Sequence, residues 1–390
     1  MRNVQLSSLQ PGAVLGTDLK IPSSHPNVLY KLRLEAGTEL TQDQIDRLEK
    51  LNITTVPIED PATDDLDPYI HDPEVEAVQE ELQLSFKKLT SELADQNVDP
   101  NTLSQLEDAV SDMIDALRES KLMAAYTTLK DHDNYTAQHS LDVAKISLQF
   151  ALRFEKELKH KLSNESGASR QYIDKNFLKD LGLGTMLHDL GKQDIRSDIL
   201  NKPTDLSQEE WETMKDHPQQ GYEDLKNIAP HFNAPVRVPA HQHHEKFDGT
   251  GYPRGLEGKE IHLYSRITMC ADVYSALSSN RPYRDPLTPS QALGVMDSMQ
   301  KNGPHFDPNI YEKFLELVTP YPIGQEVVLS DGRKGVVCDF EDDSPQRPVV
   351  RVLSENGERL DSPDEVMIQA DSYSPRIVKP DPNQAQLTRA

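Results

Sequence analysis

The chain reads HHEKFDGTGYP from His243 to Pro253, and this stretch combines possible metal ligands with a rigid turn. Two adjacent imidazoles open it and a carboxylate follows. Neutral imidazole is the commonest metal ligand among side chains. Gly tolerates positive φ and Pro fixes φ, so Gly249, Gly251 and Pro253 predict a tight turn, which by itself indicates no activity. The function therefore depends on what the surrounding sequence adds.

Histidine is concentrated around this stretch, since ten of the 13 histidines fall between residues 131 and 262. Four further pieces contain possible ligands: His139, the string HDLGK at 188–192, His217 followed by Gly221, and Asp272 followed by RPYR at 281–284. Taken singly, each histidine is more typical of a helix surface or a core. The joint pattern favours ligation. We interpret His132, His160, His231 and His262 as ordinary residues, and His241 as a weaker ligand candidate.

The adjacent His188 and Asp189 predict a site for two metal ions. Neighbouring residues of a helix project about 100° apart, so the pair can hold two ions, with the carboxylate bridging ions roughly 3.5 to 4 Å apart. Mixed nitrogen and oxygen ligands suit iron, manganese, nickel or zinc better than calcium or magnesium. Two such ions lower the pKa of a bridging water and hold a phosphodiester for in-line attack by hydroxide. The pattern indicates phosphoester hydrolysis.

These strings together resemble the HD-GYP proteins, a branch of the HD phosphohydrolases that hydrolyse the bacterial second messenger cyclic di-GMP. The resemblance covers about residues 134–306. It implies that Asp189 bridges the ions and is catalytic, and that Lys192 is catalytic and binds substrate by offsetting charge on the phosphoryl oxygens. It implies metal ligation by His139, His188, Asp189, His217, His243, His244 and Asp272.

The resemblance also implies that Tyr252, Arg281 and Arg284 bind substrate. A guanidinium can bind phosphate through two hydrogen bonds or stack on guanine. The alternative for Arg281 and Arg284 is that they are solvated loop charges. Two positions depart from the family pattern. Tyr135 stands where three-metal members carry Glu, so we predict two metal ions, with iron or manganese favoured. Ser275 stands where Asp is usual, and we expect looser support of the site there.

Hydrophobic periodicity predicts a mainly α protein: a helical HD-type bundle with a small N-terminal α+β domain and a small C-terminal β-rich module. Residues 1–72 form the N-terminal regulatory domain and include an acidic linker at 59–68. Residues 73–320 form the helical phosphohydrolase domain, with helical stripes at 74–96 and 103–117. Alternating residues predict the β-rich module at 321–370, with a turn at 330–333, and residues 371–390 form a disordered tail.

The composition and net charge of the chain limit the kinds of partner that we expect it to bind. The chain has 390 residues, which predicts two or three domains. Its 41 Lys and Arg and 65 Asp and Glu give a net charge of -24, which disfavours DNA, RNA and anionic lipid surfaces. No apolar run approaches the roughly 20 residues that span a bilayer. Two cysteines and no apolar leader predict a reducing, cytoplasmic location.

The leading hypothesis is a metal-dependent phosphodiesterase that converts cyclic di-GMP to the linear dinucleotide, to GMP, or to both. One alternative keeps the metal ions but changes the substrate to another cyclic dinucleotide. Another is a sensor that binds a cyclic dinucleotide with little catalysis, which Tyr135 and Ser275 favour and the complete ligand set disfavours. A homodimer through the helices at 75–120 and a signalling partner for the N-terminal domain are further expectations.

Overall fold

A computed structural model describes residues 1–22, 30–51, 53, 55–122, 135–200, 202, 204–279, 286–341, 344, 346–368 and 376–378. Its contacts divide the chain into two compact units. The first comprises Met1–Lys20, Leu32–His71 and Val318–Ala390, and the second comprises Ile21–Lys31 and Asp72–Leu317. The structure thus joins the two chain ends in one unit, whereas the sequence suggested separate N-terminal and C-terminal modules.

The described part of the chain is mainly helical, as predicted. The helices are α1 (Gln42–Lys50), α2 (Asp67–Ile70), α3 (Pro73–Ala94), α4 (Pro100–Glu119), α5 (Tyr135–Arg153), α6 (Glu155–Ser166), α7 (Arg170–Met186), α8 (Ser197–Leu200), α9 (Gln208–Lys215), α10 (His217–Ile228), α11 (Ala234–Gln242), α12 (Leu263–Ser278), α13 (Pro289–Asn302) and α14 (Pro308–Leu317). The strands are β1 (Arg2–Gln5), β2 (Leu19–Pro22), β3 (Tyr30–Leu34), β4 (Thr55–Ile58), β5 (Glu326–Leu329), β6 (Lys334–Phe340), β7 (Pro348–Glu355), β8 (Glu358–Met367) and β9 (Ile377–Val378).

The first unit contains an antiparallel five-stranded sheet with the order β8-β7-β6-β5-β9, which confirms the predicted β-rich segment. The predicted turn lies between β5 and β6, where Gly332 has a φ of +89°. Strands β1 and β4 form a separate antiparallel pair, and α1 begins at a capping box formed by Thr41 and Gln44. This capped helix between strands matches the α+β pattern predicted for the N-terminal residues.

Two segments of the first unit are more ordered than the sequence suggested. Residues Pro61–Leu66 form a 3-10 helix inside the predicted linker, because Asp60 caps its first turn and Leu66 packs into the hydrophobic cluster of the five-stranded sheet. In the predicted disordered tail, Ile377 and Val378 form β9, which pairs with the open edge of β5. The prediction of a disordered tail is therefore wrong at these two residues.

The second unit is the predicted helical bundle. The apolar stripes of α3 and α4 are buried, with Leu82, Phe86, Leu106 and Val110 all at most 2% exposed. These side chains therefore serve the core of a single chain, and the homodimer stays a prediction. None of the described helices is long and apolar enough to cross a bilayer. The regulatory role of the N-terminal residues and the cytoplasmic location also stay predictions.

Candidate metal centre

The bundle brings the seven predicted ligands to the ends and inner faces of five helices. His139 lies in the second turn of α5 and Asp272 in α12, while His217 is the first residue of α10. His188 and Asp189 follow the end of α7, and His243 and His244 follow the end of α11. Apart from His244, which is partly buried, each is at most 9% exposed.

His188 and Asp189 do not lie on a helix, which corrects the sequence prediction. Helix α7 ends at Met186, a turn carries the pair, and a 3-10 helix begins at Leu190. The reason is a close approach of two backbones. A Cβ atom on Gly191 would lie 2.2 Å from the carbonyl oxygen of His217, so this segment packs against the start of α10 without room for any side chain.

Six of the seven side chains form two groups that could each hold a metal ion, and Asp189 belongs to both. The first group contains Asp189, His217, His243 and His244, and the second contains His139, His188 and Asp189. Within each group the ligand atoms lie within 4.8 Å of one another, close to twice a metal–nitrogen bond of about 2.1 Å. A carboxylate shared by two groups has the position of a bridging ligand.

Backbone carbonyl groups fix the orientation of three imidazoles. The Nδ1–H groups of His188, His217 and His243 donate hydrogen bonds to the carbonyl oxygens of Thr185 (2.7 Å), Met214 (2.7 Å) and Pro239 (2.9 Å). Because a carbonyl oxygen only accepts, each Nδ1 carries a proton, and Nε2 carries a lone pair whenever the ring is neutral. Such partners are typical of histidines that bind metal through the other nitrogen.

These lone pairs face other acceptors, which is the arrangement expected around a cation. His217 Nε2 lies 3.1 Å from His243 Nε2, and each lies 3.4 Å from Asp189 Oδ1. Neither Asp189 Oδ1 nor His188 Nε2, both buried, has a hydrogen-bond partner. Buried polar atoms without partners cost free energy. The residues therefore fit divalent metal ions, which would pair with these atoms.

Ionisation of the cluster also favours cation binding. Burial lowers the pKa of His217 to about 4 and holds that of His244 well below its usual range, so both rings are neutral at pH 7. Burial alone would raise the pKa of Asp189, but the Lys192 ammonium and the neighbouring His188 and His217 together outweigh it and bring the pKa well below the usual range. In His188, burial lowers the pKa, but the interactions with Asp189 and the charge of Asp272 together outweigh burial and raise the pKa.

Asp272 lies outside the two groups but contacts the second one through His139. Its Oδ1 accepts a 2.9 Å hydrogen bond from His139 Nε2. Burial raises the pKa of Asp272, but this bond and the charges of the neighbouring histidines together outweigh burial and lower the pKa. On the other side of the ring, Ser275 Oγ lies 3.1 Å from His139 Nδ1. Ser275 is fully buried, so its hydroxyl orients His139 directly, where the sequence led us to expect looser support.

Lys192 lies beside the shared carboxylate. Its Nζ donates a 2.6 Å hydrogen bond to Asp189 Oδ2, and its side chain remains 19% exposed. The lysine sits on the 3-10 helix, three residues after Asp189, which places the ammonium at the edge of the cluster. Its contact with a phosphate stays a prediction.

The Gly-Tyr-Pro turn is fixed against the cluster. Buried Glu245 accepts hydrogen bonds from the backbone N–H groups of Arg254 (2.9 Å) and Leu256 (3.0 Å). A Cβ atom on Gly251 would lie 2.3 Å from the backbone nitrogen of Lys246, so this position requires glycine. The turn stacks the ring of Tyr252 on that of His244, with centroids 4.8 Å apart and planes 21° apart. Tyr252 therefore borders the candidate metal centre, and its contact with substrate stays a prediction.

The remaining histidines behave as the sequence suggested or lie outside the described residues. His241 contacts Gln219 at 2.9 Å, stacks on Tyr222, and belongs to neither group. His262 accepts a hydrogen bond from the backbone of Tyr264 at the start of α12. The predicted roles of Arg281 and Arg284 fall outside the described residues, as does His132. For Tyr135 the structure describes the backbone, which begins α5.

Sequence reasoning missed two residues. Glu245 was noted only as part of the motif, because its burial and its hydrogen bonds to the backbone of Arg254 and Leu256 become visible only in the structure. The second missed residue is Trp211, on α9. Its indole ring lies 6.4 Å from the Tyr252 ring, and the residue is 43% exposed. Nothing in the local sequence places α9 beside residue 252.

A pair of carboxylates lies on the segments that carry the cluster. Asp194 ends the 3-10 helix that contains Lys192, and Asp224 lies on α10. Burial and the neighbouring charge of Asp194 raise the pKa of Asp224 to about 6. Near neutral pH the two carboxylates repel each other.

Comparisons with known proteins show which sequences and structures this chain is similar to. An HD domain family model matches residues 122–310. A cyclic di-GMP phosphodiesterase of Pseudomonas aeruginosa is 35% identical over 272 residues, which cover 70% of this chain and 60% of that protein. A 3'3'-cGAMP-specific phosphodiesterase of Vibrio cholerae is 41% identical over 130 residues, 33% of this chain and 24% of that protein. An HDG"Y"P protein of Bdellovibrio bacteriovorus of known structure has a TM-score of 0.46 and 16% identity, covering 80% of this chain and 97% of that one.

The chain belongs to the HD domain family. Within that family it is an HD-GYP protein, as its motifs predicted, and several similar proteins are named cyclic di-GMP phosphodiesterases. The chain spans less than two thirds of the length of the two curated relatives described above.

Proposed function

We propose that the protein is a metal-dependent phosphodiesterase that hydrolyses cyclic di-GMP to the linear dinucleotide, to GMP, or to both. The observation that carries the proposal is that Asp189 belongs to both groups of candidate ligands. In the first group, the lone pairs of His217 and His243 also face each other. The names of the similar proteins supply the substrate.

The proposed ligands are the seven residues of the cluster, with Asp189 as the bridging one. When bound, two divalent transition-metal ions, iron or manganese in the first instance, would act as Lewis acids and lower the pKa of water. The chain prepares the site by holding His217 and His244 neutral and Asp189 ionised. Fixed Nδ1 hydrogen bonds keep the imidazoles in place, so little reorganisation accompanies binding.

The proposed roles of the other residues concern the substrate. Lys192 would leave Asp189 for a phosphoryl oxygen and offset the charge that develops there. Tyr252 would form one wall of the site. Burial, together with the charges of Asp189 and Asp272, raises its pKa, so the phenol stays protonated and can donate a hydrogen bond. Local cations matter because the net charge of -24 opposes a dianionic ligand.

The test combines metal analysis of anaerobically purified protein with a product assay on cyclic di-GMP. The wild type should hold about two metal ions per chain and turn over the substrate. His217→Ala should lose bound metal and turnover, because it removes a ligand of the first group. His231→Ala is the matched control, since that histidine is 54% exposed and lies outside both groups. Absence of bound metal in the wild type would overturn the ligand assignment.

A second candidate substrate is 3'3'-cGAMP, because three Vibrio cholerae proteins named for it are 34% to 43% identical to parts of this chain. The product assay should therefore include both cyclic dinucleotides. A higher kcat/KM for 3'3'-cGAMP would transfer the proposal to that substrate. Two bound ions with no turnover of either nucleotide would favour the sensor alternative.

A further inference from the structure

Trp211 is an unusual surface residue. It is the only tryptophan in the sequence, and its side chain is 43% exposed. The other large apolar side chains with comparable exposure in the described residues are aliphatic or thioether chains: Leu84, Val295, Val328, Met367 and Val378. Aromatic side chains usually bury most of their large apolar area. An indole left open to solvent is therefore available to a ligand.

The indole is connected to the candidate metal centre through the ring of Tyr252. The Tyr252 ring stacks on the His244 ring at 4.8 Å, and the Trp211 ring meets Tyr252 at 6.4 Å with planes 74° apart. A near-perpendicular contact covers at most part of one indole face, which agrees with the exposure. The three aromatic rings thus lead from solvent to a proposed metal ligand.

Helix α9 holds the indole in this place. A capping box of Ser207 and Glu210 begins the helix, and Lys202 Nζ donates a 2.6 Å hydrogen bond to Glu210. Asp216 ends α9 and also precedes His217, the first residue of α10. Trp211 and a proposed ligand therefore belong to two directly connected helices, so the position of the indole is tied to that of the cluster.

We infer that Trp211 is a stacking platform for a purine base of the substrate, an inference that rests on the proposed function. A nucleotide base is joined to its phosphate through a sugar. If a phosphate is held at the cluster, its base therefore lies some distance from the metal ligands, and Trp211 is the aromatic ring that we expect it to meet there. Stacking on an aromatic face needs no positive charge. It thus supplies affinity for a dianionic ligand to a chain whose net charge of -24 opposes it.

Kinetics of variants test the platform. Trp211→Ala should lower kcat/KM for cyclic di-GMP about tenfold, mainly by raising KM, since base stacking on an aromatic side chain has about this effect. Trp211→Phe should recover most of the loss. The same variants should hydrolyse methyl p-nitrophenyl phosphate, which carries no purine, within about twofold of the wild type, and should keep their metal content. Leu84→Ala, at a position 51% exposed on α3, is the control for loss of an exposed apolar side chain.

Fluorescence gives a second measurement, because the sole tryptophan reports its own contacts. Rapid mixing of the metal-loaded full chain with cyclic di-GMP should quench Trp211 emission before turnover. An unchanged kcat/KM in Trp211→Ala, or equal losses on both substrates, would overturn the inference. If the wild type does not turn over cyclic di-GMP, the proposed function fails. Saturable quenching by another purine cyclic dinucleotide would then still support the platform, and no quenching by any of them would overturn it.

Discussion

The close approach of Gly191 to α10 gives a sharp prediction about how the metal centre is built. In Gly191→Ala the new Cβ atom would lie 2.2 Å from the carbonyl oxygen of His217 and 2.5 Å from the backbone nitrogen of Gly221. Both neighbours are backbone atoms, so no side-chain rotation relieves the clash. The two segments must separate by about 1 Å, which moves His217 relative to Asp189, and overpacking of this kind costs about 1–3 kcal/mol.

We expect the upper end of that range, since backbone atoms are contacted on two sides. A loss of about 3 kcal/mol lowers the Tm of a domain of this size by about 6–12 °C. Displaced ligands should also weaken metal binding, by about 10- to 100-fold if the effect resembles loss of a partner that orients a ligand. Thermal unfolding of the metal-free chain measures the first effect, and competition with a metal chelator measures the second.

The chain provides a matched control at Gly294. This glycine lies within α13, is exposed, and would place a Cβ atom where no other atom lies within 4 Å. Gly294→Ala should stabilise the protein by about 0.5–1 kcal/mol, because alanine favours a helix over glycine. If Gly191→Ala kept its Tm within about 2 °C of the wild type and its full metal content, the account of the segment after α7 would be refuted.

Three further variants test individual groups. Ser275→Ala should weaken metal binding about tenfold, because His139 loses a partner that orients it; the chelator competition detects this. Lys192→Met should lower turnover by about 10²- to 10³-fold, because it removes a cation near the reacting phosphate. Metal affinity should not fall, because the lysine competes with metal ions for Asp189. Parallel losses of turnover and metal affinity would contradict this. Asp224→Asn should raise the Tm fully at pH 8, about half as much at pH 5, and hardly at pH 4. Its pKa of about 6 in the folded protein lies above the unfolded value, so rising pH removes stability between about pH 4 and 6, by about 1 kcal/mol after screening by solvent.

The sequence predicted those parts of the site that depend on local patterns. The structure brings the histidines of the short motifs into one cluster, since HDLGK and HHEKFDGTGYP each place candidate ligands within a few residues of one another. Periodicity also predicted the buried stripes of α3 and α4. Periodicity could not show that α7 ends before His188, because the apolar pattern continues past the end of the helix. The close approach of Gly191 to α10, to which we attribute this end, involves residues that are distant in sequence.

Other features escaped prediction because they depend on tertiary contacts. Ser275 looked like a weakened position until the structure placed its hydroxyl on His139. Trp211 gains its position beside Tyr252 only when α9 packs near the turn. The same holds for Leu66, whose charged surroundings suggested a linker, although the side chain is 2% exposed against a sheet formed more than 250 residues later.

The first unit also sets an order of events during synthesis. Leu66 and its neighbours pack against strands that begin at Glu326, which follow the helical unit in the sequence. At roughly 5–20 residues per second, a ribosome needs tens of seconds to translate the chain between them. The helical unit can fold during that interval, while part of the apolar surface of the N-terminal residues remains exposed to solvent. The first unit can therefore be completed only after the strands that begin at Glu326 are translated. Slower translation of the helical unit would lengthen the time during which the N-terminal strands are exposed to aggregation and to chaperones.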